Sequence, residues 1–361
     1  MTTDFDLILT GAGHAHLGVL RLWAGGRRPQ GRVALVSPDP YAWYSGMLPG
    51  LLAGRYALEE CRIPLQPRCV AAGIDWVPAQ VIAMDAETRT LRLAGSASLR
   101  GRWLSLNPGA RLPALEQTGV AVEVLPVKPF ADFIARWQQW QRRPAPLAIL
   151  GGGAAGVELA LAMARQVPAL SLFCATHLLA GHPPALRGRA LRHLQAAGVQ
   201  IHENCPVERI RGDALEVAGR PVWRGARLVL ASGVSPLPWL AASGLSVDAR
   251  GFVAVSATLQ SLSHPQILAA GDCASLPGTP HSGVYAVRQG PVLAANLAHV
   301  LGGEALDSYR PQARALALLA DGRGGALLSW AGLTAEGVLC GRWKDFLDRR
   351  FMRLHGAAGR T

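Results

Sequence analysis

Two glycine-rich loops have the residue types and the spacing that bind phosphate groups. Loop 1 is Gly11-Ala-Gly13-His-Ala-His16, and loop 2 is Gly151-Gly-Gly153-Ala-Ala-Gly156. The first glycine of such a loop permits a tight turn, the second lets the backbone approach a pyrophosphate, and the third permits close packing of helix on strand. The helix that follows offers free N–H groups and the positive end of its dipole. Each loop therefore predicts a dinucleotide site.

The segments around both loops have the character of a strand followed by a helix. Residues 5–10 and 147–150 are short apolar runs of the length expected for buried parallel strands. Residues 32–36 and 169–173 predict the next strand of each unit. One glycine loop is a weak signal, but two strand–loop–helix units are specific. The sequence therefore predicts an α/β fold with two nucleotide-binding units.

Loop 1 departs from the three-glycine pattern, because His16 stands at the third glycine position. The pair His14 and His16 could suggest a metal, but main-chain donors explain a phosphate-binding loop without one, so we predict no metal site. The strand at 32–36 should end in an acid for an adenosine ribose. Ser37 and Asp39 are the two candidates for that role.

A third segment, residues 267–272, has the pattern of a strand that ends in Gly271-Asp272, and a helix follows near residue 284. With these motifs the chain resembles the pyridine nucleotide–disulfide oxidoreductase superfamily of two-dinucleotide flavoproteins. Residues 283–297, GVYAVRQGPVLAANL, resemble the type II NADH dehydrogenase branch. The resemblance implies FAD at loop 1, NAD(P)H at loop 2, and a hydrogen bond from the FAD ribityl chain to Asp272.

The resemblance also implies the architecture, which is two Rossmann-like FAD/NAD(P)-binding domains of the three-layer ββα, glutathione-reductase-like kind. The expected FAD domain is split, at 1–112 and 235–305, around an NAD(P) domain at 113–234. Residues 306–361 would form a small C-terminal cap with an amphipathic helix. Residues 341–352 resemble the end of an oxidoreductase module found joined to selenide, water dikinase, which makes that kinase a candidate partner.

Three catalytic residues are predicted, namely Glu158, Lys128 and Gln289. Lys128 is one of two lysines in a chain with 36 basic residues, so a need for a compact ammonium group stands beside an ordinary surface role. The predicted cofactor-binding residues are Gly11, Gly13, His14, Ala15, His16, Ser37, Asp39, Met47, Leu48, Pro49, Val81, Asn107, Gly109, Gly151, Gly153, Ala154, Ala155, Gly156, Gly271, Asp272, Val284 and Tyr285.

Several residue types that related enzymes use are absent from this sequence, and their absence limits the reactions that it predicts. Residues 44–50 stand where disulfide reductases carry a cysteine pair, yet they contain no cysteine, and Cys273 is expected to be a buried inert thiol. The strand at 169–173 ends in Cys174 instead of the acid typical of NAD selectivity or the base typical of NADP. Both the choice between NADH and NADPH and the retention of nicotinamide binding therefore stay open.

The function predicted from these residues is an FAD-dependent NAD(P)H oxidoreductase, which passes hydride to flavin and electrons to a quinone or another small acceptor. The alternative is an FAD-binding accessory module in selenium metabolism with a degenerate nicotinamide site. Sulfide or polysulfide oxidation ranks third.

Charge and hydropathy indicate which binding partners and which cellular compartment to expect. The net charge is +12, but the arginines are scattered, so nucleic-acid binding is disfavoured. An acidic start without a signal peptide predicts the cytoplasm. The apolar stretch at 146–164 contains three consecutive glycines and Glu158, so no membrane span is predicted.

The C-terminal segment predicts an amphipathic helix. Its apolar face consists of Trp343, Phe346, Leu347, Phe351 and Leu354, and basic residues outnumber acidic ones around it. Such a face either covers the core of the FAD domain, which we favour from the sequence, or lies in the interface of the inner membrane face.

Overall fold

Two separate large sheets, one mixed and one parallel, organise the protein in a computed structural model that describes residues 2–119 and 121–356. The strands are β1 (Thr2–Thr10), β2 (Val33–Val36), β3 (Tyr41–Trp43), β4 (Arg62–Pro64), β5 (Asp75–Val77), β6 (Val81–Asp85), β7 (Thr90–Leu93), β8 (Ser98–Leu106), β9 (Glu116–Thr118), β10 (Glu123–Pro126), β11 (Leu147–Leu150), β12 (Leu170–Phe173), β13 (Val199–His202), β14 (Arg209–Arg211), β15 (Ala214–Val217), β16 (Arg220–Arg224), β17 (Arg227–Leu230), β18 (Val253–Ala254), β19 (Ile267–Ala269), β20 (Ala274–Ser275), β21 (Ala317–Ala320), β22 (Ala326–Trp330) and β23 (Leu333–Gly337).

Nine α-helices lie within the described residues. They are α1 (His14–Leu22), α2 (Leu48–Leu52), α3 (Leu65–Ala72), α4 (Phe130–Gln141), α5 (Ala154–Met163), α6 (Pro184–Ala196), α7 (Pro238–Ala241), α8 (Gly283–Gly302) and α9 (Val338–His355). Shorter helical turns lie at Trp23–Arg27, Ser45–Met47, Leu58–Cys61 and Gly271–Cys273. The predicted strand–loop–helix units at both glycine loops are confirmed, since β1 leads to α1 and β11 leads to α5.

The first sheet carries loop 1 at its carboxyl edge. Its order is β5-β2-β1-β8-β7-β6, with β19 beside β8, and β1 pairs in parallel with both β2 and β8. Leu7, Ile8 and Leu9 of β1 are fully buried, as expected for a central parallel strand covered on both faces. This sheet therefore brings the ends of β1, β2, β8 and β19 to one edge.

The second sheet carries loop 2 and is parallel throughout, in the order β10-β17-β11-β12-β13. A smaller sheet of β16, β15, β14 and β9 lies within the same stretch of sequence. The parallel strands that carry the two loops confirm the predicted α/β class with Rossmann-like units, while the residue boundaries given above for the domains stay a prediction.

Helices α1 and α8 cross at two glycines. A Cβ atom at Gly18 would lie 3.2 Å from the Cα atom of Gly290, and a Cβ atom at Gly290 would lie 3.1 Å from the carbonyl oxygen of Ala15. Larger side chains would push the two helices apart. Both helices therefore begin near each other, α1 at His14 and α8 at Gly283.

The cap consists of the antiparallel strands β21 to β23 and helix α9. Helix α9 buries only part of the apolar face that was expected to cover the core. Trp343, Phe346 and Leu354 are exposed, whereas Asp348 and His355 are buried with Phe351 against the rest of the protein. The interpretation that the whole apolar face covers the core is therefore wrong, because a polar network holds this helix from inside.

Candidate functional site

Loop 1 is braced by a side chain from the end of β8. The Asn107 Oδ1 atom accepts hydrogen bonds from the N–H groups of Ala15 (3.1 Å) and His16 (3.2 Å), and Asn107 Nδ2 donates to the carbonyl of Ala270 (2.6 Å). A Cβ atom at Gly13 would lie 2.7 Å from the Asn107 carbonyl oxygen. Asn107, predicted to contact the cofactor, therefore also joins loop 1 to the Gly-Asp turn.

His16 is a fully buried part of the same bracing. Its Nδ1–H donates to the Gly11 carbonyl (2.6 Å), so its Nε2 atom accepts from the Ser105 hydroxyl (2.8 Å). Burial lowers the pKa of His16 to about 4, so the ring is neutral at neutral pH. No group of three or more metal-ligating side chains occurs among residues 2–119 and 121–356.

An ion pair joins two residues that the sequence analysis singled out separately. Lys128 Nζ lies 3.0 Å from Asp272 Oδ2. Asp272 Oδ1 is buried and has no hydrogen-bond partner within the part of the chain that the structure describes. A buried carboxylate oxygen without a partner is costly unless a ligand supplies a donor. A ribityl hydroxyl of FAD is a donor of the required kind, so this site fits the group that the sequence implies.

Gln289 holds the turn that carries Asp272. Its Oε1 atom accepts a hydrogen bond from the Gly271 N–H (2.6 Å), and its side chain is almost completely buried. The geometry gives Gln289 a positioning role, and the catalytic role predicted for it has no support from these contacts.

The loop-1 cavity, about 590 Å³ in volume, collects twelve of the predicted residues. The predicted residues that line it are Gly13, His14, Ser37, Asp39, Leu48, Pro49, Asn107, Gly109, Lys128, Ala155, Glu158 and Asp272. Eight predicted residues line neither this cavity nor the two further cavities beside loop 2 and beside the C-terminal cap, namely Gly11, Ala15, His16, Met47, Val81, Gly156, Gly271 and Gln289. Ligand contacts by all of these residues stay a prediction.

The two candidates for the ribose lie side by side at the end of β2. Asp39 accepts hydrogen bonds at Oδ1 from the Tyr41 N–H (2.8 Å) and at Oδ2 from the Trp43 indole N–H (2.9 Å). The Ser37 hydroxyl donates to the Asp39 carbonyl (3.4 Å). Asp39 therefore shapes the wall of the cavity, and both side chains remain candidates for the ribose.

Loop 2 opens on a separate cavity of about 310 Å³, the loop-2 cavity. Gly151 has φ +135°, and a Cβ atom at Gly153 would meet nothing within 4 Å. The open space at Gly153 suits an approaching pyrophosphate. Cys174 lines this cavity together with Thr176 and His177, and no carboxylate of the described residues does so.

The cap borders a third cavity of about 960 Å³, the cap cavity. Ala154, Val284 and Tyr285, three of the predicted cofactor residues, line it. Glu158 and Ser282 line both this cavity and the loop-1 cavity, and Ala180 lines both this cavity and the loop-2 cavity. The cap cavity thus adjoins the two nucleotide sites.

A buried polar network in the wall of the cap cavity was missed from the sequence. Lys344 Nζ donates to the Gly46 carbonyl (2.9 Å) and to Asp348 Oδ2 (3.1 Å), and it lies 3.8 Å from Glu158 Oε1. The Tyr44 hydroxyl donates to Asp348 Oδ1 (3.1 Å). The one available signal was that Lys344 is the second of the two lysines.

The charges of this network depend on burial. Burial raises the pKa values of Glu158 and Asp348, against the opposing effect of Lys344. Burial alone would lower the pKa of Lys344, but the two carboxylates raise it above its usual value. Glu158 also accepts a hydrogen bond from the Ala320 N–H (2.8 Å), which ties α5 to the cap.

The thiols are placed as expected for inert groups. Cys273 is fully buried, with its Sγ atom 3.4 Å from the Leu106 carbonyl and 3.3 Å from that of Ala270, and burial raises its pKa to about 12. No cysteine of the described residues lines the loop-1 or the cap cavity. The predicted burial of Cys273 is confirmed, and its raised pKa agrees with the predicted lack of reactivity.

Comparisons with known proteins agree with this geometry. Residues 5–290 match the family model for pyridine nucleotide-disulphide oxidoreductases. A mercuric reductase of Acidithiobacillus ferrooxidans is 26% identical over 140 residues, which is 37% of this chain and 25% of that protein. The chain therefore spans about a quarter of the length of this curated relative.

Solved structures with the same fold are more distant in sequence. The sulfide:quinone oxidoreductase of Aquifex aeolicus superposes with a TM-score of 0.80 at 16% identity, covering 99% of this chain and 93% of that one. The water-forming NADH oxidase of Lactobacillus brevis, bound to NADH, gives 0.75 at 17% identity, with 91% and 75% covered. These likenesses establish the fold alone.

The chain belongs to the pyridine nucleotide-disulphide oxidoreductase family, because the family model matches well over half of it. Family members are flavoprotein oxidoreductases that use FAD and NAD(P)H, so the enzyme class and both cofactors predicted from the sequence are confirmed at the level of the family. The assignment of FAD to loop 1 with Asp272, and of the nicotinamide dinucleotide to loop 2, stays a prediction.

Proposed function

We propose that this protein is an FAD-dependent NAD(P)H oxidoreductase whose electrons pass to a quinone or another small acceptor in the cap cavity. Bound FAD supplies the redox chemistry. The protein contributes Asp272 and loop 1 to hold it, loop 2 to hold the nicotinamide dinucleotide, and the cap to form one wall of the acceptor cavity beside Glu158.

The observation that carries the proposal is the unpartnered Asp272 Oδ1 atom in a cavity that borders the cap cavity at Glu158 and Ser282. Lys128 neutralises the other oxygen of the same carboxylate. An apolar wall of alanines and leucines at residues 315–319 suits an acceptor of limited polarity.

Anaerobic mixing of the purified yellow protein with NADH or NADPH tests the proposal. Bleaching of the flavin band by either nucleotide is the expected result. A flavin that stays oxidised in millimolar concentrations of both would favour the second candidate, an FAD-binding accessory module in selenium metabolism, with selenide, water dikinase as its partner. The absence of a carboxylate around the loop-2 cavity is the observation that keeps this candidate in consideration.

Sulfide or polysulfide oxidation receives no support from the side chains. It would need a thiolate beside the flavin, and the cysteines nearest to loop 2, Cys174 and Cys205, lie at the loop-2 cavity. Burial raises the pKa of Cys174 to about 12, so this thiol is not activated.

We also propose that the outer face of the cap contacts an anionic membrane surface. Seven large apolar side chains are exposed on β22, β23 and α9, namely Trp330, Leu333, Val338, Leu339, Trp343, Phe346 and Leu354. Leu333 is 69% and Leu339 is 78% exposed. Exposed Arg342, Arg350 and Arg353 lie on the same helix. Exposed aromatic and aliphatic groups beside arginines suit an interface with anionic headgroups.

None of the described helices has the length and apolar character needed to cross a bilayer.

Sedimentation with vesicles of equal phosphatidylglycerol and phosphatidylcholine tests this contact. The double variant Trp343→Ser, Phe346→Ser should bind at least tenfold more weakly than the native protein, since each aromatic group contributes about 2 kcal/mol when buried. Val70→Ser removes an even more exposed apolar group from α3 and should bind normally. Equal sedimentation of all three proteins, or none by the native protein at low salt, would contradict the proposal.

A further inference from the structure

We propose that the loop-2 cavity selects NADPH over NADH, and that residues 175–177 hold the 2′-phosphate by which the two nucleotides differ. This inference rests on the proposed function, because it takes loop 2 as the site of the nicotinamide dinucleotide. It adds the identity of that nucleotide, which the sequence left open, and the residues that recognise it.

Residues 175–177 lie where the adenosine ribose is expected. They follow β12 directly, and they line the loop-2 cavity together with Gly151 and Gly153 of loop 2. In a Rossmann-like unit the residues just after the strand that follows the glycine loop approach the ribose, to which a 2′-phosphate would be attached. Ala175, Thr176 and His177 are all exposed, so they are accessible to a nucleotide bound there.

The end of β12 lacks an acceptor for a free ribose. The ribose hydroxyls of NADH are hydrogen-bond donors, and a carboxylate usually accepts from them. Cys174 stands at the position of that carboxylate, but its side chain is 1% exposed. Its Sγ atom packs against loop 2, since a Cβ atom at Gly152 would lie 2.5 Å from it. A buried thiol is a weak acceptor and does not replace the carboxylate.

The Glu203 carboxylate, which follows β13, is satisfied by other donors. Its Oε1 atom accepts from the Leu178 N–H (2.6 Å) and from Arg187 Nε (3.2 Å), and its Oε2 atom accepts from Arg187 Nη2 (2.6 Å). Glu203 does not line the loop-2 cavity. The ion pair with Arg187 also reduces the repulsion between this carboxylate and a phosphate bound nearby.

The same segment offers donors that suit a phosphate. Within residues 2–119 and 121–356, the N–H groups of Ala175, Thr176 and His177 donate to no other backbone group. The Thr176 hydroxyl and the His177 ring are further donors. Successive N–H groups in a turn form anion sites, and a protonated imidazole adds positive charge. Donors without a carboxylate fit a phosphate better than a pair of ribose hydroxyls.

The missing carboxylate also fits a degenerate nicotinamide site, but the two interpretations predict different binding. A degenerate site would bind adenosine nucleotides equally weakly with or without a 2′-phosphate. A phosphate site at residues 175–177 would distinguish them. The matched probes are 2′,5′-ADP and 5′-AMP, because they differ only in the 2′-phosphate.

Isothermal titration calorimetry of the FAD-loaded protein with the two probes is the direct test. We expect 2′,5′-ADP to bind at least about tenfold more tightly than 5′-AMP, since its phosphate forms charge-assisted hydrogen bonds. Anaerobic stopped-flow reduction of the flavin is the second measurement. At low nucleotide concentration, NADPH should reduce the flavin at least about tenfold faster than NADH.

Ala175→Glu places a carboxylate beside the expected ribose and should abolish the preference. Repulsion should weaken 2′,5′-ADP binding about tenfold or more, while 5′-AMP binding should change less than about threefold. Ala169→Glu is the matched control, because it makes the same change at an exposed residue before the other end of β12. This control should bind both probes like the native protein.

His177→Gln tests the imidazole separately. The variant should bind 2′,5′-ADP about three- to tenfold more weakly than the native protein, with 5′-AMP binding unchanged. His182→Gln is its control, because His182 lines the cap cavity and not the loop-2 cavity. It should keep the native preference.

Equal affinity for the two probes, binding of neither, or faster reduction by NADH than by NADPH would overturn the assignment. Failure of the proposed function is a distinct result, because the titration does not depend on flavin reduction. Preferential binding of 2′,5′-ADP by a protein whose flavin neither nucleotide reduces would contradict the function and still support the phosphate site.

Discussion

The two glycine loops share a motif, but the protein supports them differently. Loop 1 is tied to distant segments by the Asn107 side chain and by the buried ring of His16. Loop 2 has open space at Gly153, and its neighbouring strand ends in Cys174 without a carboxylate. Loop 1 is therefore held by buried side chains, whereas loop 2 exposes the backbone of Gly153 to its cavity.

This difference suits the lifetimes of the two ligands. A cofactor that stays bound through many turnovers is well served by a rigid, preorganised site, because less conformational entropy is lost on binding. A nicotinamide dinucleotide has to leave after each reaction, so strong contacts there would slow turnover. The following variants test the contrast, from the largest expected effect to the smallest.

Gly13→Val should give the largest effect. Its Cβ atom would lie 2.6 Å from Asn107 Cγ and 2.7 Å from the Asn107 carbonyl oxygen, so the brace itself would have to move. We expect loss of FAD and a decrease of several kcal/mol in the free energy of unfolding. Flavin content and urea unfolding measure both effects. A variant that retains FAD and native stability would contradict the bracing role of Asn107.

Gly153→Val makes the same change in loop 2 and should spare the fold. Nothing lies within 4 Å of the added Cβ atom, so FAD content and unfolding should stay close to native. The branched side chain would occupy the approach of the pyrophosphate, so flavin reduction by NADH or NADPH should be blocked. Reduction at the native rate would show that the dinucleotide does not use this loop.

Asp272→Ala should weaken FAD binding about 10- to 100-fold. The lost hydrogen bond to a charged group is worth about 1.5–3 kcal/mol. Asp272→Asn keeps an oxygen acceptor at this position and should lose less affinity. Titration of the apoprotein with FAD, followed by flavin fluorescence, separates the two variants, and equal affinity in all three proteins would exclude the ribityl assignment.

Lowering the pH should decrease the free energy of unfolding, because His16 of loop 1 is buried in its neutral form. The pKa of His16 is about 4 in the folded protein against an ordinary value of 6.5. The unfolded chain therefore binds the proton first as pH falls through this window, and stability is lost from about pH 6.5 downward. Between pH 7 and pH 5 the loss due to His16 is about 1–2 kcal/mol.

The measurement is urea unfolding at both pH values. His16→Gln should reduce the difference between them, and His177→Gln at the exposed edge of the loop-2 cavity should leave it unchanged. An equal loss in all three proteins would assign the acid sensitivity to other groups.

The sequence was sufficient for the features that depend on local patterns. The apolar runs before loops 1 and 2 are β1 and β11, and the helix expected near residue 284 is α8. Each of these is determined by apolar periodicity and glycine placement within about thirty residues.

The sequence was insufficient where a role depends on a distant partner. Periodicity shows that α9 has an apolar face, but it cannot show which way that face points. The orientation depends on Lys344 meeting Glu158 and on Asp348 meeting Tyr44, contacts between residues far apart in the chain. Gln289 has the same difficulty, because its hydrogen bond to Gly271 makes it a positioning residue.

The glycine crossing of α1 and α8 has an electrochemical consequence. Because the helices approach closely at Gly18 and Gly290, their N-termini at His14 and Gly283 both border the loop-1 cavity. The α1 end is expected to face the pyrophosphate, whose charge is the same in both redox states, so only the α8 end would respond to added electrons. One dipole end favours a nearby negative charge by about 0.3–1 kcal/mol. For a two-electron couple this corresponds to roughly 5–20 mV. The crossing would therefore make the midpoint potential of a flavin held there slightly more positive, so the packing of two helices would affect the driving force of the reaction.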